Sequence, residues 1–333
     1  MSTFGLERVF SPRTVAVVGG SSRPSSLGLA VLMNLKASGF AGRIAVVNPN
    51  YAVVDGAETV PNLKSLPFVP DLVVITAPAV AIPGIIADAA AVGVAGAVIL
   101  SAGLGHGAGS LAETAARTAR MHGIRLIGPN CIGVMIPRAN LNASFAAHRP
   151  SDGRVALISQ SGAIAAAMIE WAAERRLGFS GIVSVGDQLD VDVADLLDYF
   201  AQDDHTNAIL LYIESVTDAR KFMSAARAAA RLKPVIVVKS GRMAVGAKAA
   251  ATHTGALAGS DAVYDAAFRR AGMLRVYDLR QLFDCAELLG RGRGARELVV
   301  GLAPLPVEQG CDGEGRGDSV AQELGEGVAL LED

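Results

Sequence analysis

Thr14-Val15-Ala16-Val17-Val18 runs without a break into Gly19-Gly20-Ser21-Ser22-Arg23-Pro24-Ser25-Ser26-Leu27-Gly28. A short β-branched apolar run predicts a buried strand, and the glycines behind it predict a tight turn into a helix over 27–38. Glycines there let backbone N–H groups approach a phosphate, and the helix N-terminus adds positive partial charge. Ser21, Ser22, Ser25 and Ser26 add hydroxyl donors, and Arg23 adds charge. The stretch reads as a nucleotide-type phosphate loop. A glycine turn without a ligand is the plainer reading of the same residues.

The strand-then-helix pattern repeats along the chain. Strands are expected at 14–18, 43–47, 72–76, 96–100 and 125–127, with helical stretches at 27–38, 80–92 and 110–122. Continuous apolar strands, each followed by a helix, imply a parallel sheet covered on both faces, joined by right-handed crossovers. The polar, turn-rich segment 148–153 reads as a linker. The pattern then restarts, with strands at 155–159, 181–185, 208–212 and 234–239 and a closing helix at 278–289. The fold class expected is α/β, two tandem doubly wound parallel-sheet domains. Residues 291–333, rich in Gly and charge, are expected to form an atypical, weakly structured tail.

Composition agrees. Of 333 residues, 51% are hydrophobic and 19% charged, which excludes a disordered protein. The 30 Lys+Arg against 32 Asp+Glu exclude a strongly basic nucleic-acid binder, and 5% aromatics argue against base-stacking platforms. Cys131, Cys285 and Cys311 are too few and scattered for a disulfide framework or a zinc site, so no metal is expected and a cytoplasmic location is. The N-terminus carries Glu7 and Arg8 and no apolar signal region. The uncharged stretch 89–105, about 17 residues, is Gly-broken and too short to span a bilayer.

The first turn lacks the G-x-G-x-x-G spacing, and the second strand ends in Asn48-Pro49-Asn50, where an NAD site wants a carboxylate. That disfavours an NAD-linked oxidoreductase. It suits an adenine nucleotide with a 3′-phosphate, as in coenzyme A. Thr76-Ala77-Pro78, Ser101-Ala102-Gly103 and Gly128-Pro129-Asn130-Cys131 end the next strands and ring the same crevice. Cys131 reads as small buried filler.

A second Gly/Ser turn, Gln160-Ser161-Gly162-Ala163, follows strand 155–159 and predicts another anion-binding helix end. The neighbouring strands end in Gly186-Asp187 and Tyr212-Ile213-Glu214-Ser215. Beyond strand 234–239 lies Thr252-His253-Thr254-Gly255. A neutral imidazole can attack a phosphoryl group if its other nitrogen is held, and Glu214 could hold it. On spacing alone, Glu214 also reads as a turn residue and His253 as a surface residue. His122, His148 and His205 take the bland reading. Asp190, Asp192, Asp195 and Asp198 read as a solvated helix start and face.

Taken together, the segments resemble the α subunit of the NDP-forming acyl-CoA synthetases, such as ADP-forming acetyl-CoA synthetase, and more distantly the succinyl-CoA ligase α subunit. The resemblance rests on 15–19 with Leu27-Gly28, on Val47-Asn48-Pro49, Ile127-Gly128-Pro129-Asn130-Cys131 and Leu141-Asn142-Ala143-Ser144-Phe145. In the second half it rests on 158–163, Ser184-Val185-Gly186-Asp187, Tyr212-Ile213-Glu214 and 252–260. It implies a Rossmann-like CoA-binding domain at 1–148 and a flavodoxin-like, ligase-type domain at 153–290. It implies CoA contacts among Gly19, Ser21, Ser22, Arg23, Ser25, Ser26, Leu27, Gly28, Asn48, Pro49, Asn50, Pro78, Ser101, Ala102, Gly103 and Asn130. Phosphate falls to Ser161, Gly162 and Ala163, with His253 as the phosphorylated residue and Glu214 as its partner. ADP/ATP with magnesium is implied only through a partner ATP-grasp β subunit or domain, in an oligomer, because no such unit is read in this chain. Departures are His106, where relatives carry an acidic residue, and Ser215, where Gly is usual. A CoA-binding regulatory or scaffold module that has lost catalysis is the alternative.

Overall fold

The computed structural model describes residues 3–241 and 260–291. His253 and the tail from 292 onward lie outside the described residues.

The first sheet takes β1 (Thr14–Val18), β2 (Arg43–Val47), β3 (Val53–Val54), β4 (Ala57–Val60), β5 (Leu72–Ile75), β6 (Gly96–Ile99) and β7 (Arg125–Ile127) in the order β3-β4-β2-β1-β5-β6-β7. β3 is an antiparallel edge and the other six run parallel. Those six follow the doubly wound order 3-2-1-4-5-6, whose direction reverses between β1 and β5. Successive β1 side chains go to opposite faces. Val15 and Val17 pack with α1 (Leu6–Phe10) and α2 (Leu27–Ala37), while Ala16 and Val18 pack with α3 (Ile82–Val92) and α4 (Leu111–His122). In α2 the buried residues Gly28, Val31, Leu32 and Leu35 form one helical stripe.

The second sheet takes β8 (Gly133–Ile136), β9 (Leu141–Ser144), β10 (Ser151–Ser159), β11 (Gly178–Ser184), β12 (Ala208–Ile213), β13 (Val235–Lys239) and β14 (Leu274–Val276) in the order β14-β13-β12-β10-β11-β8-β9. The last five in sequence run parallel in the 2-1-3-4-5 order, with the reversal between β10 and β12. α5 (Gly162–Arg175) and α9 (Leu279–Arg291) cover one face. α6 (Val193–Gln202), α7 (Ala219–Leu232) and α8 (Asp261–Ala271) cover the other.

Two features differ from the sequence expectation. β8 and β9 lie before residue 148 yet pair antiparallel with the second sheet, through β11. The segment 148–153 is not all linker, because Ser151 to Gly153 already belong to β10. There Gly178 lies so close that a Cβ on it would stand 2.0 Å from the Asp152 carbonyl oxygen. Two strand backbones approach that tightly only where side chains are missing.

The sheets also share a core. One continuous apolar cluster runs from α1 and α2 through β8 to α6 and α7, and Phe10 stacks on Phe200 at 6.1 Å between ring centroids. Asn34 of α2 donates to the carbonyls of Ser144 and Ala146, each at 2.9 Å. The acidic run is not a solvated face. Asp195 is buried, and Arg125 reaches Asp190 at 2.9 Å and Asp195 at 3.1 Å, while Lys221 reaches Asp195 at 2.8 Å and Asp192 at 3.0 Å. Burial pushes the Asp195 pKa up, so its charge depends on these cations. All described residues fall in one compact unit. Among them, no helix is long and apolar enough to cross a membrane.

Arg125→Met leaves Asp195 short of one buried partner. It is expected to lower unfolding stability by about 3 kcal/mol in guanidinium titrations.

Candidate functional site

The first crevice opens where the strand order reverses, beyond β1 and β5. Gly19 has φ +91°, and a Cβ on it would lie 2.8 Å from the Ala77 nitrogen. A Cβ on Gly28 would lie 2.8 Å from the Gly19 oxygen, the Gly20 Cα and the Thr76 Oγ1. Turn, helix and β5 loop therefore meet backbone to backbone, and only glycine fits. Ser26 caps α2 by accepting the Leu29 N–H at 3.2 Å, and donates to the Ser21 carbonyl at 3.1 Å. Thr76, placed on this crevice by the sequence but given no role there, donates to the Val18 carbonyl at 3.1 Å and forms the floor.

The expected contact residues divide into two sets. Ser21 and Asn48 are buried and spent inside the protein. Ser21 Oγ accepts the Arg23 N–H at 3.2 Å and lies 3.3 Å from the Tyr51 hydroxyl. Asn48 donates to the Gly20 carbonyl and accepts the Asn50 N–H at 2.9 Å. Both shape the loop. Ser22, Arg23, Ser25, Leu27, Pro49, Asn50, Pro78, Ala102, Gly103 and Asn130 are exposed and line the open side. Ser101 donates to the Ala77 carbonyl at 2.6 Å, and the Asn130 N–H reaches the Ser101 carbonyl at 3.1 Å, which ties three strand-end loops into one rim. Cys131 is buried among them, and burial pushes its thiol up to about 12. It is filler, as the sequence indicated.

The second crevice opens at the other reversal, beyond β10 and β12. Ser161 caps α5 by accepting the Ile164 N–H at 3.4 Å, and its own N–H donates to Ser159 Oγ at 3.1 Å. The first N–H groups of a helix, here those of Gly162 and Ala163, have no intrahelical acceptor. They point from the N-terminus of a 14-residue helix. Glu214 follows β12 alongside. Its position is set by Gln160, whose role the sequence did not disclose. The buried Gln160 Oε1 accepts the N–H groups of Glu214 and Ser215, and its Nε2 donates to the Ser215 carbonyl at 2.9 Å. Nearby, burial raises the Tyr212 pKa, and burial lowers that of Lys239, at the end of β13. A charged residue closing a buried apolar strand was the signal for Lys239. His253, the expected partner of Glu214, lies outside the described residues.

The two rims touch. Gly186 has φ +51°, and a Cβ on it would stand 2.1 Å from the Pro129 oxygen. The Asp187 N–H donates to that oxygen at 3.0 Å, and Asn130 Nδ2 reaches Asp187 at 3.3 Å.

A glycine turn on a 3-2-1-4-5-6 sheet, joined to a capped helix end on a 2-1-3-4-5 sheet, defines a tandem doubly wound α/β protein. Residues 13–137 match the family described as CoA binding domain, and residues 152–289 match the succinyl-CoA ligase like flavodoxin domain. The chain thus carries a CoA-binding domain followed by a succinyl-CoA ligase-like domain, and it is similar to ADP-forming acetyl-CoA synthetase alpha subunits at about 40% identity. Acetate–CoA ligase (ADP-forming) I of Archaeoglobus fulgidus is 40% identical over 298 residues, covering 89% of this chain and 43% of that protein. The acetate–CoA ligase (ADP-forming) I subunit alpha of Pyrococcus furiosus is 42% identical over 296 residues, covering 85% of this chain and 63% of that subunit. The solved acetyl-coenzyme A synthetase 1 of Ca. Korarchaeum cryptofilum, in complex with phosphate and ADP, superposes with TM-score 0.81 at 39% identity, covering 86% of this chain and 62% of that one. The chain thus spans about two fifths to three fifths of these relatives' own lengths.

Gly28→Ala is expected to cost about 2 kcal/mol from overpacking, read as a lower midpoint in thermal unfolding. With a pKa near 12, the Cys131 thiolate is scarce at pH 8 and grows only as pH rises. Iodoacetamide at pH 8 should leave it unmodified in the folded protein, as peptide mass mapping would show.

Proposed function

We propose that this chain is the CoA-binding, phosphohistidine-bearing subunit of an acid–thiol ligase, working in the cytoplasm with an ATP-grasp β subunit or domain. The reaction is acyl-CoA + ADP + phosphate ⇌ acid + ATP + CoA. The half from 1 to 148 serves coenzyme A, and the half from 153 to 290 serves phosphoryl transfer. Exposed Arg23, Ser22 and Ser25 offer charge and donors to the CoA phosphates, and the glycine floor leaves room for the backbone to approach them. Asn48-Pro49-Asn50 presents no carboxylate to repel a 3′-phosphate.

The chemistry follows in three balanced steps. Phosphate attacks the thioester carbonyl and the CoA thiolate leaves, giving an acyl phosphate. A ring nitrogen of His253 takes the phosphoryl group and the carboxylate leaves. Phospho-His253 then passes the group to ADP, bound with magnesium on the ATP-grasp partner, and the imidazole is restored. The N–H groups of Gly162 and Ala163 and the Ser161 hydroxyl steady the phosphate, and Glu214 holds the second imidazole nitrogen. Such transfer is catalysed by positioning and charge stabilisation, which a rigid carboxylate beside a helix N-terminus supplies. The observation carrying this reading is the Gln160 clamp, which holds the Glu214 backbone next to the α5 N-terminus at the reversal of the second sheet.

The test incubates the full chain with an ATP-grasp β subunit and radiolabelled ATP. An acid-labile, base-stable label is expected, absent in His253→Asn and at least about tenfold slower to appear in Glu214→Gln. Calorimetry should show CoA binding more tightly than NAD. CoA binding without any label would instead favour a scaffold module.

A further inference from the structure

Gln160, just beyond β10, holds the N–H groups of Glu214 and Ser215. The next N–H in the chain, that of Val216, is held by a side chain from a different element. It donates to the Tyr264 hydroxyl at 3.3 Å, and Tyr264 belongs to α8. The Tyr264 ring is itself held. The Lys239 ammonium lies 4.7 Å from its centroid, in the range of a cation–π contact.

Lys239 is an unusual residue to find there. It is 5% exposed, and its Nζ donates to the Ser240 carbonyl, but among the described residues no carboxylate lies within ion-pair distance of it. Asp261 and Glu214 attract the ammonium only from a distance, burying it is costly, and the ring contact is worth more when desolvated. The strand register brings the pair to the right place. Lys239 sits opposite Ile213, and the Ser240 N–H continues the ladder to the Ile213 carbonyl at 2.9 Å, one residue before Glu214. α8 is pinned in turn by the nearly buried Arg275, which bridges Asp261 and Asp265, the latter at 3.2 Å.

We propose that Tyr264 is a positioning residue for Glu214, with its ring held by Lys239 and its hydroxyl holding the Val216 N–H, so that the carboxylate loop is clamped at both of its ends, by Gln160 and by Tyr264. This rests on the phosphohistidine reading above. Glu214 sits in a turn whose three successive N–H groups are all committed to side chains, Gln160 twice and Tyr264 once. Freed at one end, that turn can rotate and carry the carboxylate off its line to the imidazole. Small misplacements of this kind cost rate without costing ligand affinity.

The experiment uses the full chain with an ATP-grasp β subunit and follows histidine labelling from ATP in a single turnover. Tyr264→Phe keeps the ring and the cation contact but loses the hydroxyl, and should slow labelling about tenfold while CoA affinity by calorimetry stays within about twofold. Lys239→Met should do the same, and Lys239→Arg should restore most of the rate. In a Glu214→Gln background, Tyr264→Phe should add no further loss, which a merely structural role would not produce. Hydrogen exchange should show faster exchange at the Val216 amide in Tyr264→Phe, with the core strands unchanged. A labelled wild type with unaffected Tyr264→Phe overturns the clamp, as does a Tyr264→Phe loss that multiplies with Glu214→Gln. A wild type that takes no label overturns the relay reading and the positioning role with it.

Discussion

Strands in a parallel sheet end with carbonyl and N–H groups that must find partners beyond the ladder. In this chain the loops beyond the two sheets satisfy one another. The N–H groups of Asp187, Leu189 and Val191, all beyond β11, donate to the carbonyls of Pro129, Gly128 and Leu126, each at 3.0 Å. Gly186 has no Cβ to hold those backbones apart. Buried charge reinforces the seam, because Arg125 of β7 reaches Asp190 and Asp195 from the far side of it. Neither sheet has a complete carboxyl edge without the other.

This join has a functional consequence. Doubly wound sheets bind ligands outside their carboxyl ends, at the reversal of strand order. Here the rims that surround the two reversals touch, through Asn130 beyond β7 on one side and Asp187 beyond β11 on the other. In the function proposed above, a thioester cofactor on the first rim and a phosphate on the second are the two substrates that the acyl phosphate chemistry has to bring together. The small residues along both rims leave room for an extended ligand. The polar side chains that are buried there, Ser21, Asn48 and Gln160, hold loops in shape.

Much of this was legible along the chain. The nine core parallel strands read from β-branched runs all form, because such runs bury both faces of a covered sheet. β14, three residues long and carrying Arg275, offered no such run. Nor did β8 and β9, because four-residue strands joined by Pro137 and Asn140 carry too little period. The acidic run 190–198 misled for a different reason. Its composition is that of a solvated helix, and only the arrival of Arg125 and Lys221 from elsewhere makes burial affordable.

The sequence by itself determined the alternation of strand and helix, the glycine turns, and which residue types stand at each strand end. These follow from local sterics and apolar periodicity, which neighbouring residues decide among themselves. The tertiary structure decided that β8 and β9 join the second sheet, that Ser21 and Asn48 turn inward, and that Gln160 and Tyr264 converge on the Glu214 turn. Gln160 and Tyr264 stand 54 and 48 residues from the backbone groups they hold. No local pattern encodes such a contact, because its energy exists only once strand register has brought the partners within hydrogen-bond reach.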